Sequence, residues 1–227
     1  MIYRKLTFLG ILFVSLTNFA HAEINNKLAL SSFKCSQILH NKYMDICFDY
    51  KYKSALAVEY SLTKENLYKK KLSRDKSKFY PDKRLPEKYR MSSYSYKKSG
   101  FDRGHLAPNA AFNYDEKAQR ATFSMANMTP QYPKVNRSAW SKAERYSRVV
   151  AVKLGNVKVL DIVTFDSNPK TLKSGQAIPA GYYKIITNKD KDFQKCYYYK
   201  NIENPDLKLK DHVIDCSSIK IASFGSN

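Results

Sequence analysis

Four cysteines, Cys35, Cys47, Cys196 and Cys216, stand behind a leader-like N-terminus, and that combination limits what this chain can fold into. Arg4 and Lys5 precede an almost unbroken apolar run from Leu6 to Leu16, and Ala20-His21-Ala22 has the small-x-small form of a signal-peptidase site. An apolar run of roughly 11 residues is too short to cross a bilayer as a helix. The expectation is a signal peptide at 1–22 and a mature chain at 23–227. The mature chain would be secreted or periplasmic, without membrane contact after cleavage; an uncleaved anchor is the alternative. In an exported protein an even cysteine count reads as two disulfides. Three pairings exist, and nearness in sequence favours Cys35–Cys47 with Cys196–Cys216. The rival, a zinc site, finds no C-x-x-C pair and no close histidine.

The mature stretch is long enough for one domain with a sizeable core, and an aromatic content of 14% argues against disorder. Residues 23–34 read as a loose arm. Ile46–Tyr50 and Ala55–Leu62 read as strands of a hairpin, and Thr63-Lys64-Glu65-Asn66 as the cap of a brief helical turn. Asp115–Arg120 is helix-like, and Thr122–Met128 is an apolar strand candidate ended by Pro130 and Pro133. A helix is expected from Asn136 to Val152, because Trp140, Ala143, Tyr146 or Ser147, and Val150 recur at helical spacing. Lys158–Phe165, Gly181–Thr187 and Tyr197–Tyr199 read as further strands. Ile214–Ala222 closes the chain, with Cys216 as its pin. No repeat and no second domain are visible.

Charge is the loudest compositional signal. The chain carries 40 Lys+Arg against 20 Asp+Glu, a net +20, which becomes +18 without Arg4 and Lys5. Such an excess repels itself in a compact state and makes sense against a polyanionic partner. Thirteen basic and four acidic residues fall between Lys64 and Lys98, interleaved with Tyr68, Phe79, Tyr80, Tyr89, Tyr94 and Tyr96. Basic side chains track a phosphate backbone and ring faces accept unstacked bases. A solvated loop whose tyrosines pack on the core gives the same pattern.

Just downstream comes Phe101-Asp102-Arg103-Gly104-His105-Leu106-Ala107-Pro108. His105 is one of three histidines in the mature stretch and is suited to serve as a general base near neutrality. Arg103 offers a planar, permanent charge to phosphate oxygens. Further on, Asn136, Trp140 and Glu144 stand at i, i+4 and i+8, drifting only about 80° around a helix, so they share a face. An amide oxygen and a carboxylate there are hard ligands suited to Mg²⁺, which keeps several waters. The plainer reading makes Asn136 a helix cap and pairs Glu144 with Lys142, Arg145 or Arg148.

Three ordered motifs decide between these readings. Asp102-Arg103-Gly104-His105 resembles the D-R-G-H signature of the DNA/RNA non-specific endonucleases, the ββα-metal or His-Me finger group that includes mitochondrial endonuclease G. Asn127-Met128-Thr129-Pro130-Gln131 is similar to that family's N-x-x-P-Q. Asn136 through Trp140 to Glu144 is similar to its N-x-x-x-W-x-x-x-E. Softer similarity runs from Tyr43 through Leu62 and again over Ile178–Lys184. The resemblance implies an α+β fold, with a central antiparallel sheet flanked by helices and a ββα-metal finger active site. It implies a Mg²⁺-dependent endonuclease, with Mn²⁺ as a substitute, acting on DNA and RNA and leaving 5′-phosphate ends. By position, His105 is the general base, Asn136 the direct metal ligand, and Glu144 the group that orients metal-bound water. Arg103 binds the phosphate, Asn127 supports the local hydrogen bonds, Asp102 fixes the turn and Trp140 belongs to the core.

One departure stands out. Where the family often carries an arginine before an x-D stretch, this chain has Phe79-Tyr80-Pro81-Asp82. Lys78, Lys83, Arg84 and Arg90 are the candidates to supply that charge and to bind nucleic acid. The segment Thr164-Phe165-Asp166-Ser167 also departs from the family's usual glycine-containing turn. The alternative function is a cationic nucleic-acid-binding protein that keeps the fold with weak or no catalysis. A homodimer is left open.

Overall fold

The computed structural model describes residue 25 and residues 27–74 and 78–221; the leader at 1–22 lies outside the described residues. In chain order the strands are β1 (Gln37–His40), β2 (Met44–Asp49), β3 (Ser54–Thr63), β4 (Asp102–His105), β5 (Met128–Gln131), β6 (Asn156–Thr164), β7 (Gly181–Asn188), β8 (Phe193–Lys200) and β9 (Val213–Ile214). The helices are α1 (Lys64–Tyr68), α2 (Asn109–Phe112), α3 (Glu116–Thr122) and α4 (Ser141–Leu154). Seven strands build one sheet in the order β1-β2-β3-β6-β7-β8-β9, and every neighbouring pair is antiparallel. The architecture is the α+β one expected.

The central strands are buried almost without interruption, because both faces of the sheet are covered. On the front, Phe48, Val58, Val159, Tyr182 and Tyr199 pack with Trp140, Ala143 and Val150 of the long helix region. On the back, Leu56, Leu160, Ile162 and Ile185 lie under Leu28, Leu30 and Phe33 from the N-terminal side and Ile219 and Ile221 from the C-terminal side. Cys35–Cys47 and Cys196–Cys216 are bonded, with Cα separations of 5.2 and 5.4 Å, and each ties one terminal segment to this back face.

The supposed loose arm is therefore packed from Leu28 onward. Burying three large apolar side chains stabilises by roughly 1.5–3 kcal/mol each. Ordering the backbone costs about 1–2 kcal/mol per residue. The two nearly offset, so the nearby disulfide matters to the arm's docking.

Between neighbouring strands β3 and β6 the chain makes a long excursion, residues 64–155, that carries every candidate site residue. Within it, the apolar stretch Thr122–Met128 is not one strand. Helix α3 ends at Thr122, a 3-10 turn capped by Ser124 spans Met125–Asn127, and only then does β5 begin. Pro130 sits inside β5 rather than ending it. A proline is tolerated there because β4–β5 is a two-stranded ribbon, and its missing N–H falls on the unpaired side. Among the described residues no helix is long and apolar enough to cross a membrane.

Candidate active site

The ribbon sets the geometry of the candidate site. Arg103 stands opposite Pro130, Gly104 opposite Thr129 and His105 opposite Met128. Position 104 must be glycine, because a Cβ there would overlap the Gln131 side chain. Beyond His105 the backbone is held by Asn127, which is fully buried. Its Oδ1 accepts from the Ala107 N–H at 2.9 Å, and its Nδ2 donates to the carbonyls of Ala107 and Thr122, both at 2.9 Å. Each bond satisfies a group that burial would otherwise strand, at a cost of about 1–3 kcal/mol apiece.

His105 is 8% exposed and lies between two rings. Phe79 is 5.8 Å away between centroids, and Phe123 meets it edge-on at 5.3 Å. Its Nε2 is buried and has no hydrogen-bond partner. Burial first, then the charges of Arg74 and Arg103, lower its pKa to about 3, so the imidazole is neutral. Those two guanidiniums cap the flanking rings, Arg103 at 4.6 Å from the Phe79 centroid and Arg74 at 5.5 Å from that of Phe123.

The helical part of the site begins with a wide π turn, Val135–Trp140, that runs directly into α4. Such turns are rare and recur at functional sites. Asn136 is not a cap. Its Nδ2 donates to Asp102 Oδ2 at 2.9 Å, and Arg137 donates to both oxygens of the same carboxylate at 2.7 and 2.6 Å. Burial alone would raise the Asp102 carboxyl, but the bonds from Arg137 and Asn136 hold it below the usual range. Asp102 thereby ties β4 to the helix and fixes the Asn136 amide with its oxygen turned elsewhere. Trp140 is fully buried and donates from Nε1 to the His105 carbonyl at 3.1 Å.

Beneath Trp140 lies a charge pair that periodicity does not reveal. Lys184 and Asp161 face each other across β6 and β7, are both fully buried, and bond at 2.5 Å. Tyr60 OH donates to the second Asp161 oxygen at 3.2 Å, and Lys184 Nζ lies 4.3 Å from the Trp140 ring centroid. Glu144 forms no ion pair with Lys142, Arg145 or Arg148. Burial raises its carboxyl to about 7, with Lys184 and Arg148 pulling the other way. It keeps partial surface access, and Arg148, one turn on, has a buried Nη1 with no partner.

The four basic loop candidates divide. Arg84 donates from Nε and Nη2 to Asp82 at 2.9 and 2.6 Å and from Nη1 to the His40 carbonyl at 2.8 Å. Arg90 donates to the carbonyls of Leu85 and Lys83 at 2.7 and 3.2 Å. Both guanidiniums are committed to holding the loop. Lys83 is exposed, and Lys78 lines a depression with Arg120 and Phe123. Tyr80 pairs with Ser124 and is covered by Arg120, whose guanidinium carbon is 4.6 Å from the ring centroid. Arg74, absent from the sequence-derived candidates, is the loop arginine close enough to His105 to act on it. Only its place in a basic run marks it in the sequence.

The donor set suits a hydrated divalent cation. Among the described residues no three acidic, histidine or cysteine side chains cluster to enclose a metal. A Mg²⁺ that keeps its waters needs few protein oxygens. The Asn136 amide, pinned through its nitrogen, offers one, and Glu144 lies two turns along the same helix.

A family model described as DNA/RNA non-specific endonuclease matches residues 22–225. Endonuclease G of Bos taurus is 31% identical over 154 residues, covering 62% of this chain and 50% of its own. A mitochondrial nuclease of Schizosaccharomyces pombe is 29% identical over 165 residues, covering 66% and 50%, and a Nostoc nuclease is 38% identical over 111 residues, covering 48% and 39%. The chain thus spans about half the length of the first of these curated relatives. A solved EndoG/EndoGI complex superposes with a TM-score of 0.72 at 23% identity, covering 80% of this chain and 81% of the other.

Proposed function

Because the chain belongs to the DNA/RNA non-specific endonuclease family, we propose that it is an exported, Mg²⁺-dependent endonuclease that hydrolyses DNA and RNA with little sequence preference. The observation that carries this reading is His105: neutral, with an unpartnered Nε2, between two rings capped by arginines. The scissile phosphate sits between Arg103 and Arg74. His105 takes a proton from water as that water attacks phosphorus, and the bond from phosphorus to the 3′ oxygen breaks. The departing 3′ oxygen takes a proton from solvent, so a 5′-phosphate and a 3′-hydroxyl result. The anionic phosphate offsets the two arginine charges and so raises the basicity of His105 when it is needed. When bound, Mg²⁺, or Mn²⁺ in its place, supplies positive charge at the phosphate and the leaving oxygen, held by Asn136 Oδ1 with Glu144 facing its waters. Asn127, Asp102 and Trp140 keep base and metal ligand in register.

The two disulfides support a compartment outside the reducing cytosol, either secreted or periplasmic, and cleavage after Ala22 would deliver the chain there. The test is degradation of plasmid and of single-stranded RNA by the mature protein. Both substrates are cut with Mg²⁺ or Mn²⁺, and cutting stops with a chelator. Equal cutting in the chelator would overturn the metal's role, and no cutting with any divalent cation would favour the binding protein.

A further inference from the structure

We propose that Tyr94 is a nucleobase-stacking platform beside the scissile phosphate, so that the enzyme takes its substrate strand with a base unstacked, as in single-stranded or locally melted nucleic acid. The inference rests on the nuclease reading and adds how the strand is held.

Six rings interleave with the basic stretch, and the fold uses four of them. Phe79 is covered by Arg103 and packs near His105 and Phe123. Tyr80 lies under Arg120. Tyr89 is stacked on Tyr50, with centroids 4.0 Å apart and planes 4° from parallel. Tyr96 is buried. Tyr68 and Tyr94 remain, 68% and 80% exposed. A lone exposed aromatic needs no explanation by itself, so position decides between them.

Two depressions lie beyond the rings and the guanidinium that neighbour His105. One is lined by Lys78, Arg120 and Phe123, the other by Tyr94, Lys97, Phe101 and Arg103. Phe123 and Phe79, with Arg103 over it, connect both to the imidazole. Tyr68 lines neither, whereas Tyr94 forms a wall of the second. A strand laid from Lys78 past His105 towards Lys97 therefore brings a base to Tyr94 when its phosphate is at Arg103.

The ring is also presented on a fixed backbone. Ser92 caps the 3-10 turn Ser93–Tyr96 by accepting from the Tyr94 N–H, and the Lys97 N–H closes the turn on the Tyr94 carbonyl at 3.0 Å. Buried Tyr96 anchors the turn from below, and the Arg103 guanidinium donates to the Ser93 carbonyl at 3.3 Å. A backbone fixed in advance leaves only the ring's own rotamers to be ordered on binding. Every base has a π face, so stacking here adds affinity without sequence preference.

The experiment uses the mature protein carrying His105→Ala, which holds substrate without cutting it. Binding is measured to a single-stranded oligonucleotide, to one with abasic sites, and to a duplex. Tyr94→Ala should weaken binding of the intact single strand by roughly 5- to 100-fold and leave abasic binding nearly unchanged, while Tyr94→Phe retains the affinity. In the cutting-competent background, Tyr94→Ala should raise KM for single strands more than it lowers kcat. Equal binding by wild type and Tyr94→Ala would overturn the proposal. So would a loss in Tyr94→Phe as large as in Tyr94→Ala, or an equal loss with abasic strands. If Tyr94→Ala binds as the unsubstituted protein does while the wild type still cuts nucleic acid, the platform falls and the nuclease stands. If the wild type neither binds nor cuts, both fall.

Discussion

At the scale of single residues, the site is a case of local chemistry being legible and its environment not. Asp102-Arg103-Gly104-His105 announces a turn, a cation and a candidate base, and the structure gives the turn residues a physical reason. Gly104 leaves room for Gln131, and Asp102 is the clamp on Asn136 and Arg137. Nothing near His105 in sequence says that its ring is enclosed by Phe79 and Phe123, or that Arg74 lies beyond them. Those neighbours arrive from 26 residues before and 18 after in the chain, and only tertiary packing chooses them. The enclosure has a measurable signature. The folded state keeps His105 neutral down to about pH 3, while the unfolded chain binds the proton below its ordinary value of 6.5. Protons are thus taken up on unfolding in that window, so stability is full above pH 6.5 and is lost as pH falls. Compared with wild type, His105→Gln should gain in relative stability by roughly 1 kcal/mol per pH unit between about 6 and 4. Urea unfolding at several pH values measures this, and a difference independent of pH would contradict the buried neutral imidazole.

At the scale of elements, the strands expected at Ile46–Tyr50, Ala55–Leu62, Lys158–Phe165 and Gly181–Thr187 lie within two residues of the ends of β2, β3, β6 and β7, whereas β8 begins well before the expected Tyr197. Pro130 looked like a terminator because an interior strand cannot spare its N–H, but β5 has one partner only. Leu28 to Phe33 looked loose because their burial depends on the back of a sheet built from distant segments. Arg84 and Arg90 carry charge that the sequence offers to a polyanion, and in the fold Arg84 reaches the His40 carbonyl at the end of β1 while Arg90 holds the Leu85 and Lys83 carbonyls of its own loop. The β6–β7 register that places Asp161 opposite Lys184 could not be read at all from periodicity. That pair, buried beneath Trp140, makes a sharp test. Lys184→Met strands the Asp161 charge and should cost about 3–5 kcal/mol, whereas Lys184→Met with Asp161→Leu should recover most of it. Chemical denaturation of the two variants separates them. If the double variant also cuts more slowly at equal stability, the pair positions Trp140 and hence the His105 carbonyl. If it cuts as fast as wild type, the pair serves folding alone.

At the scale of the whole molecule, a sheet clamped at its back by two disulfides presents a basic front built from one long excursion between β3 and β6. The net charge of +20 was visible from composition, and its concentration in residues 64–98 from counting. Which of those charges face the site was not, since Arg84 and Arg90 are engaged by the fold. If the remaining ones track phosphates, affinity for nucleic acid falls with salt in proportion to the contacts made. Five or six contacts predict a loss of roughly 10³-fold in binding between 50 and 200 mM salt. A flat response would remove the basic loop from substrate binding. The central claim is narrower than charge, namely that His105 activates water within an Asn136-anchored metal site. Single-turnover cleavage of a supercoiled plasmid in Mg²⁺ tests it most directly, comparing wild type with folded His105→Ala. The rate should fall by at least about 10²-fold with binding retained; equal rates would exclude His105 as the base.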